Sequence, residues 1–246
     1  MHNETLYQAA YVYSDSTAFP RSTIVSPIET WPILLNEIAS AIYLRGKGGV
    51  QSKALLHSLR EDSFYFNLDS NSNYRSLVIF AFGIVDCAPR PITFKLKAIS
   101  RIPIFGPRLW SLISTALKPH RIWIQRISSY QVTPASRFQR NLQKMLNHIK
   151  NPNSLIVILG TPRPSSEAIR RSPGFEEAID EYNEIKRILA SNFARAIYLP
   201  IEIEDATSYI SLEDGHHFSK KGHKCIADLI IKSCREFERG SISFDT

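Results

Sequence analysis

The chain has 246 residues, of which 43% are hydrophobic and 22% are charged. This composition excludes a globally disordered chain, because it holds enough apolar side chains for a sizeable core. The formal net charge of +7 favours an anionic partner, but the basic residues are scattered without a run of five, so we expect no nucleic-acid partner.

Apolar runs of strand type alternate with amphipathic runs of helical type along the chain. The predicted strands span 8–13, 41–45, 76–82, 154–160 and 194–200. The predicted helices span 28–39, 52–59, 138–149, 175–191 and 220–238. Strands that are apolar throughout and separated by helices indicate a parallel sheet covered on both faces. The sequence therefore predicts one domain over residues 1–246, a three-layer α/β/α sandwich with a parallel sheet of about five strands.

The stretch 90–126 fits this alternation badly and is predicted to be an insertion. It interleaves cations with bulky apolar side chains: Lys95, Lys97, Arg101, Arg108, Lys118, Arg121 and Arg126 with Phe94, Ile102, Ile104, Phe105, Leu109, Trp110 and Trp123. One interpretation is a lid or a segment that packs on a partner, since long basic side chains can cover apolar surface. The other is a basic, apolar cap that admits an acidic or acyl-bearing substrate, or that makes a weak contact with an anionic membrane.

Three cysteines, Cys87, Cys225 and Cys234, have a spacing that fits neither a metal pair nor a disulfide framework. We interpret them as reduced, buried thiols, which favours a cytoplasmic protein. The first residues, MHNETLYQAAYVY, lack the basic and apolar regions of a signal peptide. The apolar runs are also shorter than a membrane span.

Polar residues and glycines follow the predicted strands, where function gathers in parallel sheets. They occupy 14–17, 46–49, 83–86, 161–163 and 205–217. Ser16 follows the first strand, and Asp214 precedes His217 by three residues in the loop before the last helix. A nucleophilic hydroxyl needs a neighbouring imidazole and a carboxylate that orients it. Each signal alone has a commoner structural explanation, as a helix cap or a solvated pair, but their order and placement favour a catalytic site.

With these residues in this order, the chain resembles the SGNH/GDSL hydrolase superfamily. Tyr13-Ser14-Asp15-Ser16 resembles the first block of that family, Gly-Asp-Ser. FAFGIVDCAPR resembles the third block, Gly-x-Asn-Asp, and LEDGHHFSKKGH resembles the fifth, Asp-x-x-His. The resemblance implies a flavodoxin-like topology, with Ser16 as nucleophile, Asp214 as orienting carboxylate and His217 as base.

The resemblance also implies an oxyanion hole and groups near the substrate. Ser16, Gly49 and Gly83 would form the oxyanion hole, and Asp15 and Asp86 would lie at the substrate. No metal or cofactor is expected. Adjacent side chains such as His216 and His217 rarely point in the same direction, and no Glu or Cys lies at the spacing of a further metal ligand.

Two positions depart from the family pattern. Ser14 stands where the first block has Gly, which is a mild change. Val85 stands where the third block has an Asn that donates to the oxyanion, and a valine side chain donates nothing. Losing one such donor typically costs about 100- to 1000-fold in rate.

The expected function is a serine-dependent esterase or deacylase that forms an acyl-enzyme on a small-molecule or glycan acyl ester. The alternatives are an O-acyltransferase to a glycan hydroxyl, or a non-hydrolytic binding protein of a polysaccharide or modification pathway.

Overall fold

The computed structural model describes residues 5–20, 25–65, 73–91, 105–127, 129–202, 209–210 and 215–240. Seven strands lie within these residues: β1 (Ala9–Ser14), β2 (Ile42–Gly46), β3 (Ser76–Ala81), β4 (Pro89–Pro91), β5 (Ser129–Gln131), β6 (Ser154–Leu159) and β7 (Ala196–Leu199). Five of them form a parallel sheet in the order β2-β1-β3-β6-β7. This is the flavodoxin-like order, in which ligands bind where the strand order reverses beside β1. The predicted fold class is confirmed.

Helices cover both faces of the sheet. They are α1 (Trp31–Leu34), α2 (Ser52–Tyr65), α3 (Ile84–Cys87), α4 (Gly106–Leu117), α5 (Arg121–Ile127), α6 (Ala135–His148), α7 (Ser166–Arg170), α8 (Phe175–Ser191) and α9 (Lys220–Glu238). None of the helices in the described ranges is both long and apolar enough to cross a bilayer.

The single helix predicted over 28–39 is wrong. The structure has α1 there, between two 3-10 turns at Pro27–Glu29 and Leu35–Glu37. Pro27 and Pro32 each lie at the start of a separate turn, since proline suits only the first turn of a helix and interrupts its interior.

Alternate residues of β1 face the two halves of the core. Ala9, Tyr11 and Tyr13 pack with side chains of α2, α6 and α8. Ala10 and Val12 pack with side chains of α1 and α9. Because both faces are buried, the strand is apolar throughout its length rather than in alternation.

The predicted insertion has a helical body closed at its base by a short ribbon. β4 and β5 pair antiparallel, with Arg90 opposite Tyr130, and α4 and α5 lie between them in sequence. The predicted bounds of 90–126 therefore fall just inside this ribbon. Residues 92–104 and 128 lie outside the described residues.

The three cysteines are free, but they do not share one environment. Cys87 and Cys234 are buried, whereas Cys225 is exposed. The expectation of three buried thiols is therefore wrong for Cys225, which lies on an outward position of α9.

Candidate active site

Ser16 begins a short 3-10 turn directly after β1. The preceding residues fix this turn to the neighbouring strand: the Ser14 hydroxyl donates to the Ala81 carbonyl of β3 at 2.7 Å. Asp15 caps the turn by accepting from the Thr17 amide at 3.1 Å and the Thr17 hydroxyl at 3.0 Å. Ser16 itself is 5% exposed. The serine at position 14, where the family has glycine, thus contributes a hydrogen bond that holds the turn in place.

Asp15 and Gly83 bind each other. Asp15 is fully buried, and its Oδ2 accepts from the Gly83 amide at 3.1 Å. The place of Gly83 in the oxyanion hole and the place of Asp15 at the substrate stay predictions. The pair joins the end of β1 to the end of β3.

A buried lysine that the sequence analysis missed lies beside this pair. Lys186 of α8 is 1% exposed, and its ammonium donates to the Leu159 carbonyl at 2.8 Å and the Thr161 hydroxyl at 2.9 Å. Lys186 falls on the buried stripe of α8 with Ile179, Tyr182 and Leu189. A cation in the apolar stripe of an amphipathic helix is the sequence signal that could have identified it.

For both Lys186 and Asp15, burial shifts the pKa in one direction and the charge of the other group shifts it in the opposite direction. Burial lowers the pKa of Lys186 to about 8, although nearby Asp15 acts to raise it. Burial raises the pKa of Asp15 above its ordinary value, against the hydrogen bonds from Thr17, the charge of Lys186 and the Gly83 amide. Each group therefore partly offsets the cost of burying the other.

Gly83 fits tightly over this network. Its φ is +138°, and an added Cβ would lie 2.7 Å from the Thr161 hydroxyl and 3.2 Å from the Lys186 ammonium nitrogen. A larger residue would meet both a strained backbone and a steric clash. The glycine of the third block is thus required by packing as well as by conformation.

Asp86 is also buried, and its predicted place at the substrate stays a prediction. Its carboxylate accepts from the Ser52 amide at 3.2 and 3.0 Å and from the Ser52 hydroxyl at 2.9 Å. Asn141 of α6 in turn donates to the Ser52 hydroxyl at 3.0 Å. Burial raises the pKa of Asp86, against the hydrogen bonds from Thr133 and Ser52. Asp86 therefore connects α3 to the start of α2 and to α6.

His217 lies just before α9 and is 1% exposed. Its segment is held by Gly215, whose carbonyl accepts from the Ser165 amide at 2.7 Å. Gly215 has a φ of +74°, and an added Cβ would lie 2.2 Å from the Ser165 hydroxyl, so glycine is needed here. His216 packs against His217, with ring centroids 4.2 Å apart. Asp214 lies outside the described residues, so its relation to His217 stays a prediction.

Trp31 connects the Ser16 turn to the start of α9. Its indole N–H donates to the Thr17 carbonyl at 3.2 Å. Its backbone amide donates to Nδ1 of His223, also at 3.2 Å. Burial, with a smaller contribution from His217, lowers the pKa of His223 to about 4, which keeps His223 neutral and able to accept. The Ser16 turn and the His217 segment are thus brought to the same edge of the sheet.

A small cavity lies between these segments. It is about 10 Å³ in volume and is lined by the neighbours of Ser16, namely Asp15 and Thr17, by Phe218 next to His217, and by Thr161. This volume has room for about one water molecule. Among the described residues, no group of three or more His, Cys, Asp or Glu side chains is placed to hold a metal ion.

The remaining predicted groups lie on either side of this edge. Gly49 is exposed in the loop after β2, with a φ of +76° and open space where a Cβ would stand. Val85 is half-buried in α3 and packs against the core of the α2, α6 and α8 side. The position of the missing donor is therefore occupied by an apolar packing residue.

Sequence comparison finds no matching protein-family model and no matching characterised protein. Structural comparison finds similar folds. The lipase/acylhydrolase from Enterococcus faecalis matches with a TM-score of 0.57 at 15% identity, over 92% of this chain and 94% of that one.

Two further structures match over a similar length. A carbohydrate acetylesterase family member from Sinorhizobium meliloti has a TM-score of 0.55 at 13% identity, over 93% of this chain and 97% of that one. A GDSL-like lipase from Bacteroides thetaiotaomicron has a TM-score of 0.54 at 14% identity, over 93% and 88%. The chain therefore has a divergent fold of the SGNH/GDSL hydrolase kind.

Proposed function

We propose that the protein is an acyl ester hydrolase that uses Ser16 as its nucleophile. The observation that carries the proposal is that Thr17, next to Ser16, and Phe218, next to His217, line one cavity at the carboxyl edge of the sheet. The fold supports it, since proteins described as lipases and acetylesterases share this architecture. At this level of identity, the likeness extends to the fold, and the chemistry rests on the residues.

In the proposed mechanism, the Ser16 hydroxyl attacks the acyl carbon while His217 takes its proton. Asp214 orients His217 and stabilises the imidazolium that forms. Collapse of the tetrahedral intermediate breaks the ester bond, and His217 returns the proton to the leaving alkoxide. Water then attacks the acyl-enzyme with His217 again as base, which releases the acid and restores Ser16. The amides of Ser16 and Gly49 donate to the oxyanion in both steps.

Access to this site requires a change of conformation. Ser16 and His217 are 5% and 1% exposed, and the cavity between their neighbours holds about one water molecule. We expect labelling of Ser16 to be slow for this reason.

A basic groove indicates that the substrate carries an anionic group. The groove has a volume of about 920 Å³, runs between α2 and α6, and begins at Gly49. Six cations line its walls and no carboxylate does: Lys47, Lys53, Arg60, Arg137, Arg140 and Lys144. Glu61 lies near its wall, 3.7 Å from His57. Like charges that face each other repel, and a bound anion relieves that repulsion. We propose that the alcohol part of the ester carries phosphate or carboxylate groups that bind there.

A fluorophosphonate probe tests the proposed nucleophile. The wild type should be labelled covalently, Ser16→Ala should not be labelled, and His217→Ala should be labelled at least about 100-fold more slowly, since it lacks the base. His216→Ala is the matched control, because it removes a neighbouring imidazole and should keep near wild-type labelling. Intact-mass measurement quantifies the adduct, and circular dichroism confirms that each variant is folded.

Three results would contradict the proposal or part of it. Labelling of Ser16→Ala would place the nucleophile elsewhere. A folded wild-type chain that takes up no probe, even after long incubation, would favour the non-hydrolytic binding protein, for which the absent donor at Val85 already argues. Loss of labelling in His216→Ala with retention in His217→Ala would show that the register of the fifth block is wrong.

A further inference from the structure

Exposed apolar side chains concentrate in the helical segment 105–127. Of the ten large hydrophobic side chains that are exposed among the described residues, six lie in this segment: Phe105, Leu109, Leu112, Ile122, Trp123 and Ile127. Leu112 is 71% exposed and Trp123 is 66% exposed. A cluster of this kind marks a surface that contacts another apolar phase.

Phe105 and the exposed apolar side chains of α4 form one stripe. Phe105, Leu109, Leu112 and Ala116 have the spacing i, i+4, i+7 and i+11, which places them on a single helix face. In most surface helices such a stripe faces the core. Here it is exposed, and none of the described residues covers it.

The apolar residues Trp123 and Ile127 of α5 also face away from the body of the protein, because the opposite face of the helix is anchored. Gln125 is 2% exposed, and its amide donates to the Pro89 carbonyl at 3.2 Å and the Ser172 hydroxyl at 2.9 Å. Trp123 and Ile127 stand two residues before and after Gln125, on the opposite face of the helix. Because Gln125 fixes the inner face, Trp123 and Ile127 are held outward.

The charge of this part of the chain has one sign. The sequence contains no Asp or Glu between Asp86 and Glu167, but it has thirteen Lys and Arg over the same stretch. Three of these, Arg108, Lys118 and Arg126, are exposed on or next to α4 and α5. The residues 92–104, which lie outside the described residues, continue this composition with Lys95, Lys97 and Arg101. The apolar stripe is therefore surrounded by cations without a compensating carboxylate in its own segment.

We propose that the segment 105–127 docks on the surface of an anionic lipid bilayer. Leu, Ile, Phe and Trp on one side of a short helix, flanked by Arg and Lys, suit the boundary between lipid headgroups and acyl chains. The cations bind the anionic headgroups, and the apolar stripe enters the region below them. With 12 residues, α4 is about 18 Å long, so it lies in the surface rather than across the bilayer. This inference concerns a surface apart from Ser16 and stands independently of the proposed chemistry.

Vesicle co-sedimentation of the full chain tests the docking. Vesicles of phosphatidylcholine and phosphatidylglycerol in equal parts should bind the protein at low salt, whereas pure phosphatidylcholine vesicles should not. The double variant Leu112→Ser/Trp123→Ser and the triple variant Arg108→Gln/Lys118→Gln/Arg126→Gln should each bind at least about ten-fold more weakly. All five positions are exposed, so the variants should fold, which circular dichroism checks.

Two control variants separate this surface from general effects. Ile28→Ser/Ile188→Ser removes exposed apolar groups elsewhere, and Lys53→Gln/Arg60→Gln/Lys144→Gln removes three charges from the basic groove. Both should bind the anionic vesicles about as the wild type does. Equal weakening by the groove variant would overturn the proposal, because net charge alone would then explain the binding.

Other occupants give distinct results. Absence of vesicle binding at low salt overturns the proposal outright. A dimer in sedimentation velocity that Leu112→Ser/Trp123→Ser dissociates, without vesicle binding, would assign the surface to a second copy of the chain. Binding to polyglutamate but not to vesicles would assign it to an acidic protein. Probe labelling of Ser16 in the absence of vesicles should be unchanged in Leu112→Ser/Trp123→Ser, in Arg108→Gln/Lys118→Gln/Arg126→Gln and in Ile28→Ser/Ile188→Ser, so failure of the docking and failure of the proposed chemistry are distinguishable.

Discussion

The carboxyl edge of the sheet and the segment 105–127 reverse the usual distribution of side chains in opposite ways. At the sheet edge, Asp15, Asp86 and Lys186 are buried. In the segment 105–127, Leu112 and Trp123 are exposed. Burying charge and exposing apolar surface both cost free energy unless something compensates. The compensation at the sheet edge is internal, through hydrogen bonds and the nearby charge of Lys186, whereas for the segment we propose that it comes from an anionic bilayer.

This difference predicts where substitutions will affect folding and where they will affect binding. A residue of the sheet edge is supported by groups within the chain, so its loss leaves those groups unpaired. An exposed apolar residue of the segment 105–127, such as Leu112 or Trp123, has little support to lose. Changes at the two regions should therefore differ most in the free energy of unfolding.

The largest effect is expected at Asp15. Asp15→Ala leaves the Thr17 and Gly83 amides without their acceptor and Lys186 without its nearby carboxylate. Removing one member of a buried charge pair costs about 3–5 kcal/mol. Urea unfolding of wild type and variant measures the change. If Asp15→Ala does not fold, Asp15→Asn, which keeps one acceptor, should fold with a smaller loss.

An exposed ion pair provides the matched control. Asp180 binds Arg163 with distances of 2.9 and 3.1 Å, but both side chains are more than half exposed. Asp180→Ala should therefore cost less than about 1 kcal/mol. Adding Lys186→Met to Asp15→Ala should recover part of the lost stability. Equal costs for Asp15→Ala and Asp180→Ala would contradict the proposed role of the buried network.

An effect of intermediate size is expected at Val85, which stands where the resemblance implies a side-chain donor. Val85→Asn restores a side-chain donor at the position where the family has one, so hydrolysis of para-nitrophenyl acetate should rise by up to about 100-fold. Val85→Ala, which adds no donor, should give no increase. An unchanged rate in a folded Val85→Asn variant that still reacts with the probe would mean that the oxyanion hole is complete without this side chain.

The two regions also differ in how well the sequence predicts them. The strands and the helices α8 and α9 were predictable from the apolar pattern of each segment alone. A continuous apolar run indicates a buried strand, and a long amphipathic pattern indicates a helix with one buried face. The helix over 28–39 was not, since Pro27 and Pro32 divide an apolar pattern that looks helical.

Site residues were predictable by position but not always by role. The motif places Asp15, Gly83 and Asp86 at the edge of the sheet where the structure has them. It does not predict their hydrogen-bond partners, which are distant in sequence. The resemblance implies substrate contacts for Asp15 and Asp86, and it cannot show that each carboxylate accepts from a buried amide, because a carboxylate in a motif looks the same in either setting. Lys186 was not predicted for a related reason. One cation hardly changes the apolar pattern of its helix face, and only the fold shows that its side chain lies below Gly83.

The smallest effect on stability is expected in the segment 105–127. Leu112→Ser and Trp123→Ser should each change the free energy of unfolding by less than about 0.5 kcal/mol, as is usual for exposed positions. Leu142→Ala, at a fully buried position of α6, should cost about 2–5 kcal/mol under the same conditions. Urea unfolding without vesicles measures all three. A cost near that of Leu142→Ala would mean that Leu112 or Trp123 packs within the chain, and the apolar stripe would then be part of the fold. A negligible cost, combined with weakened binding to anionic vesicles, would mean that these side chains act on a partner rather than on the fold.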